Sequence, residues 1–193
     1  MKHLIKRQNG VNMVYVILAD GFEEIEALTV VDVLRRAGAK VKTLGIMGRT
    51  AMGAHGIPVA CDLLAQEDSF DMSGAEMLVF PGGMPGADNI DKYEKTDAYI
   101  ESVLSNGGYV AAICAAPMIL GKRGYLKGRR ATCFPGFEEY LEGAELVSLD
   151  AVRDGSFVTS RCMGTALPFA LELVECLYGK EKRDRVETAV NGR

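Results

Sequence analysis

No stretch of this chain holds the about 18 consecutive apolar residues that a membrane-crossing helix requires, so no membrane partner is expected. The opening segment "MKHLIKRQNG" is basic but has no apolar core, which argues against a secretory leader. Residues 1–12 read instead as a flexible N-terminal extension to a single domain over 13–193. There is no dense Lys/Arg block, and the formal net charge is −4, so a nucleic-acid partner is not expected. The most basic stretch, "GKRGYLKGRR" (121–130), reads as a solvated helix end and loop. The five cysteines make no C-x-x-C pair and no metal-ligand spacing. No metal is expected, and reduced thiols in a cytoplasmic protein are the natural reading. Histidine is scarce too. His3 falls in the N-terminal extension and His55 in the Gly-rich loop "GAHG". A Cys-His-Asp triad therefore has little to draw on.

What is present is an alternation of short apolar runs and longer amphipathic ones, with no internal repeat or linker. "MVYVILA" (13–19) reads as a buried strand, and "FEEIEALTVVDVLRRAG" as a helix with an acidic first turn, Arg-Arg at its end and Gly38 as its stop. "AKVKTLGI" (39–46) completes a β-α-β unit, for which a parallel pair is expected. "GRTAMGAHGIPVAC" reads as a loop or hairpin. Further strands are expected at "AEMLVF", "YVAAI" and "RRATCF". Helices are expected over 91–106, from Cys114 onward, at "FEEYLEGA", and over 164–180. "ELVSLDAVRDGSFVTSR" reads as a hairpin around Asp154-Gly155. The pattern predicts an α/β domain with a doubly wound, mostly parallel sheet. In such a sheet, sites lie beyond the carboxyl ends of the strands. "ADGFEE", "FPGG" and "AICAAP" all end there.

Cys114 stands where a strand turns into a helix, the arrangement of a nucleophile elbow. A thiol there is expected to feel the helix N-terminus, which lowers its pKa. Small neighbours (Ala111, Ala112, Ala115, Ala116) leave room above the sulfur, and Pro117 suits a first helical turn. The plainer alternative is a buried, inert cysteine. Glu23 and Glu26 are three apart on nearly one helix face, whereas Glu24 points elsewhere. Glu23 and Glu24 read as dipole partners. Glu26 lies between Ile25 and Ala27 and is expected to be partly buried, with a raised pKa. A protonated carboxyl beside a thiolate can donate to it and then serve as acid or base. Gly82-Gly83 can offer backbone N–H groups to an anionic oxygen.

The stretches "ILADGFEEIEALTVVDVLRRAGAKV", "VFPGGMPGADN", "AAICAAPMIL" and "TSRCMGTALPFALELVECLYGK" resemble the ThiJ/PfpI superfamily, in the branch of the human Parkinson disease protein 7. The resemblance runs from about Met13 to Lys180. It implies a flavodoxin-like three-layer sandwich with a strand–Cys–helix elbow, a cytoplasmic homodimer, and no cofactor. It also implies that Cys114 is the reactive cysteine, with Glu26 the protonated glutamate bonded to it. The Gly83 N–H would face the sulfur, Glu23 would be the acidic residue at the helix start, and Asp32 would lie in a helix used for dimer contacts. Two departures stand out. Where such proteins with a nearby histidine read T-x-H-P, this chain reads "ATCFP", with Phe134 in that place. Where they often read "SRGPG", it reads "SRCMG", which introduces Cys162 as a candidate second thiol.

Three functions are therefore expected in order. The first is a glutathione-independent glyoxalase or deglycase acting on small α-oxoaldehydes, with Cys114 as nucleophile, Glu26 as acid/base, and N–H groups near Gly83 and Ala115 holding the oxyanion. The second is a redox sensor or stress chaperone that uses Cys114 oxidation. The third is a cysteine amidase or protease that borrows His55 across a dimer interface.

Overall fold

Residues 13–67 and 70–192 are described by the computed structural model. The extension expected over 1–12 lies outside the described residues. In chain order the elements are β1 (Met13–Leu18), α1 (Glu24–Ala37), β2 (Lys40–Gly45), β3 (Thr50–Met52), β4 (Pro58–Ala60), β5 (Leu63–Leu64), β6 (Ala75–Phe80), α2 (Gly86–Lys92), α3 (Thr96–Ser105), β7 (Tyr109–Ile113), α4 (Pro117–Lys122), β8 (Arg130–Ala131), β9 (Glu145–Leu146), β10 (Ala151–Asp154), β11 (Phe157–Ser160), α5 (Ala166–Tyr178) and α6 (Lys180–Val190). Short 3-10 turns occupy Glu138–Tyr140 and Met163–Thr165.

The main sheet runs β10–β11–β7–β6–β1–β2–β5. Every pairing in it is parallel except β10 with β11. From β1 the chain first steps outward to β2 and later returns on the other side as β6, so the strand order reverses between β1 and β6. That reversal is where α/β sheets open a crevice. The sheet has an apolar layer on each face, because successive side chains of a strand point to opposite sides. Tyr15 and Ile17 of β1 pack with Ile90, Ile100 and Ile119 of α2, α3 and α4. Val14, Val16 and Leu18 pack with Val30 and Leu34 of α1, Phe169 and Val174 of α5, and Val186 of α6. The result is the expected flavodoxin-like three-layer sandwich.

The ends of α1 obey simple rules. Glu24 and Glu26 sit in its first turn and Arg35 and Arg36 in its last, favourable at either pole of the helix dipole. Gly38 follows with φ 93°, and its N–H bonds the Arg35 carbonyl. This left-handed stop suits glycine.

Three expectations need correction. The helix expected over 91–106 is two helices, α2 and α3. Tyr93 is extended (φ −68°, ψ 126°), and the Thr96 hydroxyl donates to the Ile90 carbonyl across the break. The strand expected at "RRATCF" shrinks to β8, which pairs with β9 outside the main sheet. "FEEYLEGA" makes only a 3-10 turn. Beyond the expected elements, Lys180–Val190 forms α6 and packs against α1 and α5.

Phe169 of α5 is fully buried among the α1 and sheet residues of its layer. Phe169→Ala is expected to cost about 3–5 kcal/mol, read as a lower urea midpoint with unchanged slope. A negligible shift would mean that α5 does not seal this face.

Candidate active site

Cys114 directly follows β7 and has φ 65°, the only non-glycine residue with positive φ among the described residues. Such a conformation costs an L-residue about 1–2 kcal/mol, so the surroundings must impose it. Its N–H donates to the carbonyl of Ser160, the last residue of β11, at 2.9 Å, and its own carbonyl accepts the Phe134 N–H at 2.8 Å. The Ala116 N–H closes the turn on Ile113 at 3.0 Å. The elbow is thus pinned from both sides, and the thiol is half-buried above the sheet edge.

Glu26 reaches the same point from α1. Its carboxyl is fully buried, with Oε2 accepting the Gly82 N–H at 2.8 Å. Oε1 has no nitrogen or oxygen partner, and the Cys114 thiol lies within hydrogen-bonding reach of the carboxyl. Burial raises the Glu26 pKa; the Gly82 N–H and the thiol pull it down, the Glu23 charge adds to the rise, and the result is about 7.

Cys114 departs from expectation. Burial pushes its pKa up, the Glu26 charge and hydrogen bond push it further, and the N–H groups of Ala115 and Gly83 pull it down. The helix dipole contributes little, because α4 starts only at Pro117 and is six residues long. The rise due to Glu26 exists only while Glu26 is ionised. Two buried groups in contact resist holding two negative charges, so thiol and carboxyl titrate as a pair around one shared proton.

The two glycines divide their work. Gly82 gives its N–H to Glu26 and is not free for an oxyanion, whereas the Gly83 N–H faces the sulfur. A Cβ on Gly82 would stand 2.6 Å from both the Cys114 Cβ and Glu26 Oε2, so only glycine fits. Glu23 caps α1, and its N–H bonds the Gly82 carbonyl at 2.9 Å. Cys162 begins the 3-10 turn two residues after Ser160 and is half-buried.

Glu24 and His55 form a unit that the sequence reading missed. Glu24 is buried, and its Oε1 accepts the backbone N–H of His55 at 2.9 Å and of Ile57 at 3.4 Å. Its Oε2 lies 3.0 Å from His55 Nδ1, with Glu23 Oε2 at 3.5 Å from the same nitrogen. Glu24 thereby ties the β3–β4 hairpin to the head of α1. A signal was available: Glu24 shares a helix face with Ala27, Val31 and Leu34, all buried. The ligand atoms of Glu23, Glu24 and His55 lie within 4.8 Å of one another, but both Glu24 oxygens are already engaged. His55 is exposed as expected, yet Glu24 and then Glu23 raise its pKa.

The pair carries a pH signature. Burial raises the Glu24 pKa, but the His55 ring and the backbone N–H groups outweigh it and lower it from 4.5 to about 2. The stability this carboxylate supplies is complete above its unfolded value and fades as pH falls toward about 2. His55 works in the opposite sense, its share being complete below its ordinary pKa and lost as pH rises through the raised one. The stability gap between wild type and Glu24→Gln is therefore expected to peak near pH 5.5, roughly midway between the ordinary Glu and His values. It should narrow at pH 3 and at pH 9. Urea unfolding at the three pH values checks it, and a flat gap would mean that the ion pair does not form in solution.

Known proteins resemble this chain over most of its length. Residues 12–176 match the model of the DJ-1/PfpI family. Protein dj-1beta of Drosophila melanogaster is 39% identical over 177 residues, which span 89% of this chain and 92% of that protein. A Pyrococcus abyssi protein named as a deglycase is 32% identical over 169 residues, spanning 85% and 98%. The crystal structure of Drosophila melanogaster DJ-1beta superposes with a TM-score of 0.86 at 36% identity, covering 94% of this chain and 98% of that one.

Proposed function

Because this chain belongs to the DJ-1/PfpI family, we propose that it is a cysteine-dependent enzyme acting on reactive α-oxoaldehydes without glutathione. The observation that carries the reading is the fully buried Glu26 carboxyl in contact with the Cys114 thiol, its pKa raised to about 7. A carboxyl tuned to neutrality can both give and take a proton at physiological pH. The name of the Pyrococcus abyssi relative points the same way.

In this mechanism the Cys114 thiolate adds to the aldehyde carbon, and the new oxyanion takes a proton to give a hemithioacetal. N–H groups of Gly83 and Ala115, which face the sulfur, steady that oxygen. Glu26 removes the proton from the former aldehyde carbon and returns it to the neighbouring carbonyl carbon. The product is the thioester of a 2-hydroxy acid, and water releases the acid and restores the thiol. The aldehyde carbon is oxidised and the ketone carbon reduced, so no cofactor enters the balance. The working unit proposed is a cytoplasmic homodimer. Ile25 and Leu28 on α1, with Met52 and Ile57 at the β3–β4 hairpin, are large apolar side chains left exposed on adjoining elements, and a second copy would cover them.

Lactate formed from methylglyoxal without glutathione is the deciding measurement. Cys114→Ser is expected to abolish it. Glu26→Ala is expected to lower kcat by roughly 10²–10⁴-fold while the protein stays folded. Retained turnover in Glu26→Ala would end the proposed proton path.

A second reading concerns oxidation. Cys162 follows the segment whose Ser160 carbonyl holds the Cys114 N–H, and both thiols are half-exposed. Peroxide would convert the Cys114 thiolate to a sulfenate, and attack by the Cys162 thiol would expel water and leave a disulfide. Peptide mapping after mild peroxide, without reductant, should then show a Cys114–Cys162 crosslink. A sulfinate on Cys114 with Cys162 still free would remove this reading.

A further inference from the structure

The substrate class can be narrowed from what surrounds the elbow, given the catalytic reading above. Three segments converge on Cys114: one faces its sulfur through Gly83, one binds its carbonyl through Phe134, and one binds its N–H through Ser160. Each carries a large apolar side chain that is left in the open. Met84, beside Gly83, is 50% exposed; Phe134 is 42% exposed; Met163, three residues past Ser160, is 48% exposed. Isolated exposed apolar residues are ordinary on a protein surface. Here three of them lie on the very segments that hold one cysteine.

The Phe134 ring is also held in place. It meets Phe137 edge-on, with centroids 6.4 Å apart and planes at 77°, and Phe137 in turn packs on Tyr140 at 5.9 Å. A ring fixed before binding loses little entropy when another ring settles on it. The charges nearby point to an uncharged partner. Arg161, the only cation on these segments, is paired with Asp150 at 3.0 Å. The Glu23 charge stands beside the Glu26–Cys114 pair, which disfavours a substrate bearing a carboxylate.

We propose that the preferred substrate is a neutral α-oxoaldehyde carrying an aromatic group on its ketone carbon, with that group seated against Phe134 and flanked by Met84 and Met163. The chemistry is unchanged: the Cys114 sulfur bonds the aldehyde carbon, the proton shifts to the aryl-bearing carbon, and water releases an aromatic 2-hydroxy acid. A single methylene in an apolar pocket is worth about 10–200-fold in discrimination, so phenyl over methyl should reach at least about tenfold.

The test compares mandelate formed from phenylglyoxal with lactate formed from methylglyoxal, both without glutathione, as a ratio of kcat/KM. Wild type is expected to favour phenylglyoxal by about tenfold or more. Phe134→Ala should collapse that ratio toward the Met163→Ala value or below, and both variants should fall under wild type. Intrinsic reactivity differences between the two aldehydes cancel in this comparison. Because both side chains are exposed, the variants should fold, and circular dichroism checks that they do. If lactate still forms but the ratio is the same in all three proteins, the aromatic preference is overturned and the catalytic reading stands. If wild type yields neither acid, the catalytic reading falls and takes this inference with it.

Discussion

A carboxyl group cut off from water, with one backbone N–H on one oxygen and a thiol as its other neighbour, sets the terms for everything around it. Glu26 cannot ionise cheaply where it sits, because charge taken out of water costs several kcal/mol unless it is compensated. The one strong compensation is the Gly82 N–H. That bond requires the backbone after β6 to pass within touching distance of α1 and of Cys114, and only a residue without a Cβ can do so. The glycine after it bends the chain with φ 84° and turns its N–H toward the sulfur. A glutamate, a pair of glycines and a cysteine thus make one electrostatic unit, with a proton to share and little solvent to dilute it.

The sheet explains why such distant residues meet. β1, β6 and β7 are neighbours, and all three run the same way, so the segments that leave them emerge at one edge. α1 leaves after β1, the glycine turn after β6, and the elbow after β7. The two apolar layers that hold these strands between helices fix the edge as firmly as they fix the core. A site built on the ends of buried strands inherits their precision.

The sequence spoke unevenly about these parts. Glu26 was legible because it falls in register with Val30, Val33 and Ala37, so burial follows from helical periodicity alone. Glu24 obeys the same logic on the adjoining face, but an acidic first turn has a sufficient explanation in the helix dipole, and that explanation hid its bond to His55. β7 and the elbow were legible from an apolar run ending at a cysteine. The thiol's environment was not. Burial and the Glu26 charge outweigh the helix terminus there, and both depend on contacts made across the chain. β8 misled for a related reason: "RRATCF" has the composition of a strand, but its pairing was decided by β9 and by the Phe134 N–H reaching Cys114.

The left-handed turn at Cys114 has a consequence for the newborn protein. Its supports are spread along the chain: Gly83 precedes it, Phe134 follows, and the Ser160 carbonyl lies 46 positions downstream by residue number. Translation delivers these in order, and domains of this size tend to fold as units. A ribosome that has released only the first two-thirds of the polypeptide has made the cysteine but not the strand that clamps its amide. The thiol in that fragment is an ordinary one, in an ordinary conformation. The elbow conformation is thus withheld until β11 is in place, so unfinished chains carry the cysteine without its clamp.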